Sequence, residues 1–104
     1  MSNIERKTGG EVLERPRDQT KEPELFRVVL LNDDYTTMEF VVLVLESVFL
    51  KTPAEAFRIM MLVHTQGLGL CGVYPFDIAE TKVATVHEMA RKAGFPLRAS
   101  LEKE

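Results

Sequence analysis

A chain of 104 residues, 45% hydrophobic and 28% charged, is long enough for one modest core and has the composition of an ordinary globular domain. A net charge of -3 with no cluster of lysines and arginines excludes a face built to neutralise phosphates, and with it nucleic acid as a partner. The longest apolar run, Phe40 to Leu45, is too short to cross a membrane, and the lone cysteine, Cys71, cannot form an internal disulfide, so a cytoplasmic protein is expected.

Residues 1–24 mix acids and bases with few apolar side chains, follow no helical or strand period and lack the apolar stretch of a signal peptide. They are expected to form a flexible N-terminal arm ahead of a folded core at 25–104. Phe26 to Leu31 is rich in apolar and β-branched residues and runs into Asn32-Asp33-Asp34, which predicts a strand ending in a turn. Thr36-Thr37-Met38-Glu39 has the spacing of a capping box, with Thr36 as the N-cap of a first helix. Met38, Val41, Val42, Leu45, Val48 and Phe49 give that helix its apolar face, widened by Leu43 and Val44.

A second capping box, Thr52-Pro53-Ala54-Glu55, opens a helix that runs to about Gln66, where Gly67 is suited to end it in the left-handed conformation. Ala56, Ile59, Met60 and Val63 form its buried stripe, with His64 at the edge. The segment from Gly67 to Tyr74 holds too much glycine for a helix and reads as a second strand. Pro75 then opens a third helix with Ile78, Val83, Val86, Met89 and Ala90 inward and His87 on its polar side, and Gly94 and Pro96 stop it. Leu97, Ala99 and Leu101 alternate with polar residues as a third strand. The fold class that follows is α+β: a two-layer sandwich, β-α-α-β-α-β, with a three-stranded sheet covered by three helices.

Asn32, Asp33 and Asp34 supply more oxygen acceptors than a turn needs. A metal, a phosphoryl group or an ammonium ion would each suit them. A calcium loop does not fit, because counting from Asp33 puts Met38 where a glycine belongs. His64, Cys71 and His87 lack the paired spacing of a structural zinc site. Met38 beside the acidic turn brings a soft apolar lining next to the acceptors, which suits a cation attached to a hydrophobic group.

The run Val28-Val29-Leu30-Leu31-Asn32-Asp33-Asp34-Tyr35-Thr36-Thr37-Met38-Glu39-Phe40-Val41, then Met60 to His64 with Gln66-Gly67, then Cys71-Gly72-Val73, Ala79-Glu80-Thr81-Lys82, Pro96-Leu97 and Leu101-Glu102, resembles the bacterial ClpS adaptors over about residues 25–104. The resemblance implies a non-catalytic adaptor that recognises N-degrons and delivers them to a Clp-family AAA+ unfoldase. Carried over motif by motif, Asn32, Asp33 and His64 are the contacts for the substrate α-amino group, with Asp34 close to the same peptide end. Leu30, Thr36, Met38, Val41, Met60, Val63 and Leu97 are the lining of the first-side-chain pocket, and Met38 is the gate against β-branched residues. Asp77 and Lys82 are the positions that dock on the N-terminal domain of a ClpA-type unfoldase, and the arm engages its pore. Thr37 stands in place of a frequent proline, and Asp77 where a glutamate can occur.

The expected partners are therefore N-degron peptides and proteins beginning with Phe, Tyr, Trp or Leu and a Clp unfoldase, for a monomer with no cofactor, no metal and no membrane partner. Two other readings stand beside this one. A metal- or phosphate-dependent enzyme would use Asp33, Asp34 and His64. A plain interaction domain like the C-terminal domain of the ribosomal stalk protein would dock on a partner without any N-terminal preference.

Overall fold

A computed structural model describes residues 22–104; of the expected arm, residues 1–21 lie outside the described residues. Strand β1 (Leu25–Leu31) is followed by helices α1 (Met38–Ser47) and α2 (Pro53–Gln66), strand β2 (Leu68–Pro75), helix α3 (Phe76–Ala93) and strand β3 (Arg98–Lys103). The three strands form one antiparallel sheet in the order β2-β1-β3, so the first strand lies in the middle and is the most hydrophobic. Val28, Val29 and Leu30 are all buried there.

Leu30 pairs with Gly69 on one side and Ala99 on the other, while Leu31 pairs with Leu68 and Arg98. Between the Val29–Leu70 and Val28–Gly72 pairs the register shifts, which leaves Cys71 as the extra residue of a bulge. One core unites the sheet with all three helices: Val28, Leu30, Cys71 and Ala99 meet Val44 and Leu45 of α1, Ile59 and Val63 of α2, and Val86 and Ala90 of α3. Burying each large apolar side chain of this kind is worth about 1.5–3 kcal/mol.

Two glycines let layers approach. A Cβ on Gly69 would lie 2.8 Å from Val63 Cγ2 and 3.1 Å from the Ile59 carbonyl oxygen, so the missing side chain is what allows α2 to rest on β2. Gly67 ends α2 at φ 93°, with its N–H donating to the Val63 carbonyl at 3.0 Å.

The first helix is capped differently from the sequence expectation. Thr37, not Thr36, is the N-cap, and its hydroxyl accepts the Phe40 N–H at 3.1 Å. Thr36 is engaged elsewhere, by Asp33. Thr52 does accept from Glu55 N–H at 3.2 Å, but the Glu55 carboxylate pairs with Arg58 instead of returning to the cap. Within α1, Leu43 is exposed while Phe40 and Val44 are buried. Within α3, Val86 and Ala90 are buried as expected, but Ile78 is exposed and Ala79, on the same stripe as Val86 and Ala90, fills the inward position of the first turns. His87 turns toward the sheet: its Nε2 accepts the Ala99 N–H at 3.0 Å, taking up an outward donor of edge strand β3.

Candidate functional site

The turn after β1 is organised by one carboxylate. Asp33 Oδ1 accepts the Tyr35 N–H at 2.8 Å and the Thr36 N–H at 2.7 Å, and Oδ2 accepts the Thr36 hydroxyl at 2.7 Å. Partial burial pushes the Asp33 pKa up. The bonds from the Thr36 hydroxyl, the Thr36 N–H and the Tyr35 N–H outweigh it and hold the carboxyl below the ordinary carboxylate range. Three of its roughly four lone-pair directions are thus used internally, and the charge is fixed in place with one direction to spare.

The turn is also tied to the end of α2. Asn32 N–H donates to the Gly67 carbonyl at 2.9 Å, directly past the helix end that carries His64. Val63, four residues before Gly67, packs inward against Gly69, so His64 is directed to the exposed rim. Among the described residues, no hydrogen bond involves the Asn32 side chain or the His64 ring.

A cavity of about 250 Å³ opens between these elements, lined by Asn32, Asp33, Asp34, Thr36, Met38, Val41, Met60, Val63 and His64. A void of about 150 Å³ is enough to take up benzene, so an aromatic side chain fits in it. One end is rich in acceptors: the Asn32 amide oxygen, the Asp33 and Asp34 carboxylates and an imidazole nitrogen. The other end is apolar, made by Met38 and Val41 of α1 and Met60 and Val63 of α2. Nine of the eleven residues that the sequence assigned to the amine and the pocket therefore surround one cavity. Leu30 and Leu97 do not: Leu30 is fully buried in the core beneath, and Leu97 lines a separate hollow with His87, Arg91 and Phe95. Alternation along a strand turns Leu30 toward the helices, and the β3 end lies on the far side of the sheet order from β2.

The two remaining positions lie away from the cavity on α3. Asp77 is exposed in the first turn, where its charge suits the helix N-terminus. Lys82 is occupied: its Nζ donates to the Val48 carbonyl at the end of α1 at 2.8 Å and lies 5.8 Å from the Phe49 ring centre and 5.3 Å from that of Tyr74. Nothing in the composition or spacing of α3 indicated this tie, because its partner is a backbone carbonyl 34 positions away.

No group of three or more His, Cys, Asp or Glu side chains among the described residues comes together as a metal site would require. Cys71 offers no nucleophile, since burial pushes its thiol up to about 12 and leaves it protonated at neutral pH.

The fold and the site define a small α+β domain with a cavity set between polar and apolar side chains. Comparison with known proteins makes the class specific. The family model described as "ATP-dependent Clp protease adaptor protein ClpS" matches residues 21–100. The Clp protease adapter ClpS of Nitratidesulfovibrio vulgaris (strain Miyazaki F) is 60% identical over 86 residues, 83% of this chain and 86% of that protein. That of Maricaulis maris is 53% identical across 99% of this chain and 93% of its own length. Among solved structures, Agrobacterium tumefaciens ClpS2 bound to L-phenylalaninamide matches with a TM-score of 0.77 and 43% identity, over 80% of this chain and 100% of that one. The chain belongs to the ClpS family. It is a non-catalytic adaptor of the Clp protease.

Proposed function

We propose that the cavity binds the free α-amino group and the first hydrophobic side chain of N-degron substrates, and that the adaptor delivers them to a ClpA-type AAA+ unfoldase in the cytoplasm. The observation that carries this reading is the joining of an acceptor-rich rim to an apolar floor in one cavity. An α-ammonium brings three donors and a positive charge. The Asn32 oxygen, the Asp33 carboxylate and a neutral His64 nitrogen are complementary acceptors, with Asp34 adding negative potential. Leucine and the aromatics fill the space bounded by Thr36, Met38, Val41, Met60 and Val63, and Met38 is where a β-branched side chain meets resistance. Leu30 and Leu97 belong to the core cluster that also contains Val41, Met60 and Val63. The L-phenylalaninamide named with the Agrobacterium relative is a ligand of this kind, a free amine next to an aromatic side chain.

Each hydrogen bond to a charged group contributes about 1.5–3 kcal/mol and the buried side chain about 1.5–3 kcal/mol. Three such bonds and one side chain reach the ~8 kcal/mol of a micromolar complex after the costs of association, without a large interface. Unfoldase docking belongs to the α3 face around Asp77 and Lys82, with residues 1–24 as the segment offered to the pore.

Fluorescence anisotropy with peptides that begin with Phe, Tyr, Trp, Leu, Ile or Val tests the reading. The first four bind and the β-branched pair bind weakly or not at all. An acetylated terminus loses its charge and donors and is rejected. Equal affinity for free and acetylated peptides would refute the mechanism.

A further inference from the structure

A second hollow of about 390 Å³ lies between α1 and α2, lined by Met38, Glu39, Val42, Phe57 and Met60. It shares Met38 and Met60 with the first-residue cavity, so two methionine side chains form the partition between the two spaces. Its outer wall is a large aromatic left in solvent: Phe57 is 58% exposed and Met38 42%. Neither side chain is needed by the core, and together they make an apolar trough beside a site that already holds a peptide end.

Resting on the reading above, we propose that this trough is a second subsite, which takes an apolar side chain at the third position of the substrate. The register follows from chain geometry. An extended peptide turns alternate side chains to the same face, about 6.8 Å apart, so when the first points into the cavity the third returns to the protein and the second points away. The two hollows share Met38 and Met60 as a common wall, so they are neighbours along such a chain. Five lining residues are too few for a folded partner or a second copy, which needs about 800 Å² per side, but they suffice for one side chain. Glu39 on the rim makes the trough unfavourable to an acidic side chain and leaves leucine, methionine and phenylalanine as its best occupants.

The test uses the 104-residue chain and fluorescein-labelled peptides Phe-Ala-Ala, Phe-Ala-Leu and Phe-Leu-Ala, each with a free amine and a common polar tail, with wild type and Phe57→Ala. Leucine at the third position strengthens binding roughly fivefold over alanine on wild type, and Phe57→Ala removes that gain. Competition by L-phenylalaninamide, which has no third residue, is the same for both proteins. A gain found only at the second position, no gain at either position, or a gain that survives Phe57→Ala overturns the subsite while leaving the first-residue reading intact. If L-phenylalaninamide fails to compete on wild type, the first-residue reading falls and the subsite with it.

Discussion

Asn32 N–H donates to the Gly67 carbonyl at 2.9 Å, and this bond joins the end of the central strand to the end of the second helix. It is the hinge pin of the site. Asn32 and Asp33 stand on one side of it and His64 on the other, so acceptors more than thirty residues apart in sequence open onto one cavity. The bond forms only where Gly67 takes its positive φ, which redirects the chain from α2 into β2 alongside β1.

The adjacent threonines have separable tasks. Thr37→Ala removes the cap on Phe40 N–H and is expected to lower stability by about 1 kcal/mol, with peptide affinity nearly unchanged. Thr36→Val removes the hydroxyl that steadies Asp33 Oδ2 and is expected to weaken peptide binding about fivefold or more, with a cost in stability at least as large. Chemical denaturation and anisotropy on the same two variants check the division; the opposite pairing of effects would reverse the assignments.

Gly69→Ala probes the seat of α2. The new methyl meets Val63 Cγ2 and the Ile59 carbonyl, so the helix must move off the strand. A loss of about 1–3 kcal/mol is expected from overpacking of this kind, together with weaker peptide binding, because Met60, Val63 and His64 move with the helix. Gly67→Ala, which meets no atom but is strained at φ 93°, is the companion variant: it costs stability through the backbone alone.

Acid tests the bonds that hold the Asp33 carboxylate. The Asp33 carboxyl is held below its ordinary range, so its contribution to stability is complete above the unfolded carboxylate pKa and is lost as pH falls through the depressed folded value. Asp33→Asn should therefore be less stable than wild type near neutrality, with the gap closing only in strong acid, as urea midpoints against pH will register. His64→Ala should weaken peptide binding at neutral pH, and an unchanged affinity would remove His64 from the contact.

Lys82 carries an internal load whatever its part in docking. Lys82→Met gives up the Val48 carbonyl and the charge over Phe49 and Tyr74, and is expected to lower stability by about 1–2 kcal/mol with no partner present. Thermal unfolding of the isolated chain measures it. An unchanged melting temperature would mean that the tie is idle.

Element order, the core stripe of α2 and the glycine stops were legible because each rests on local chemistry: periodicity, caps and positive φ. The fold class, three strands and three helices in β-α-α-β-α-β order, follows from the same signals. What escaped was decided by tertiary partners. Two consecutive hydroxyls at Thr36 and Thr37 are equally good caps on paper, and only the demand of Asp33 decides between them. Thr37, which stands in place of a frequent proline, turns out to be the cap itself. Ile78 and Leu43 read as inward by hydrophobicity and face outward because they lie off the stripes, Phe40–Val41–Val44–Leu45 and Ala79–Val86–Ala90, that pack on the core. His87 and Lys82 bond to backbone groups of distant segments, Ala99 and Val48, and no spacing rule encodes such partners. The trough beside Phe57 was missed because an exposed phenylalanine on a helix has no signature until the facing helix is in place.

The cavity is assembled from segments distant in sequence that come together only in the folded domain, so the unfolded chain has nothing with which to hold a ligand. Occupancy and folding are then one equilibrium. A ligand at a hundred times its dissociation constant adds about 2.7 kcal/mol to the stability of the domain, and an adaptor carrying cargo is harder to unfold than an empty one. A bound ligand is in that case also a brace for the fold.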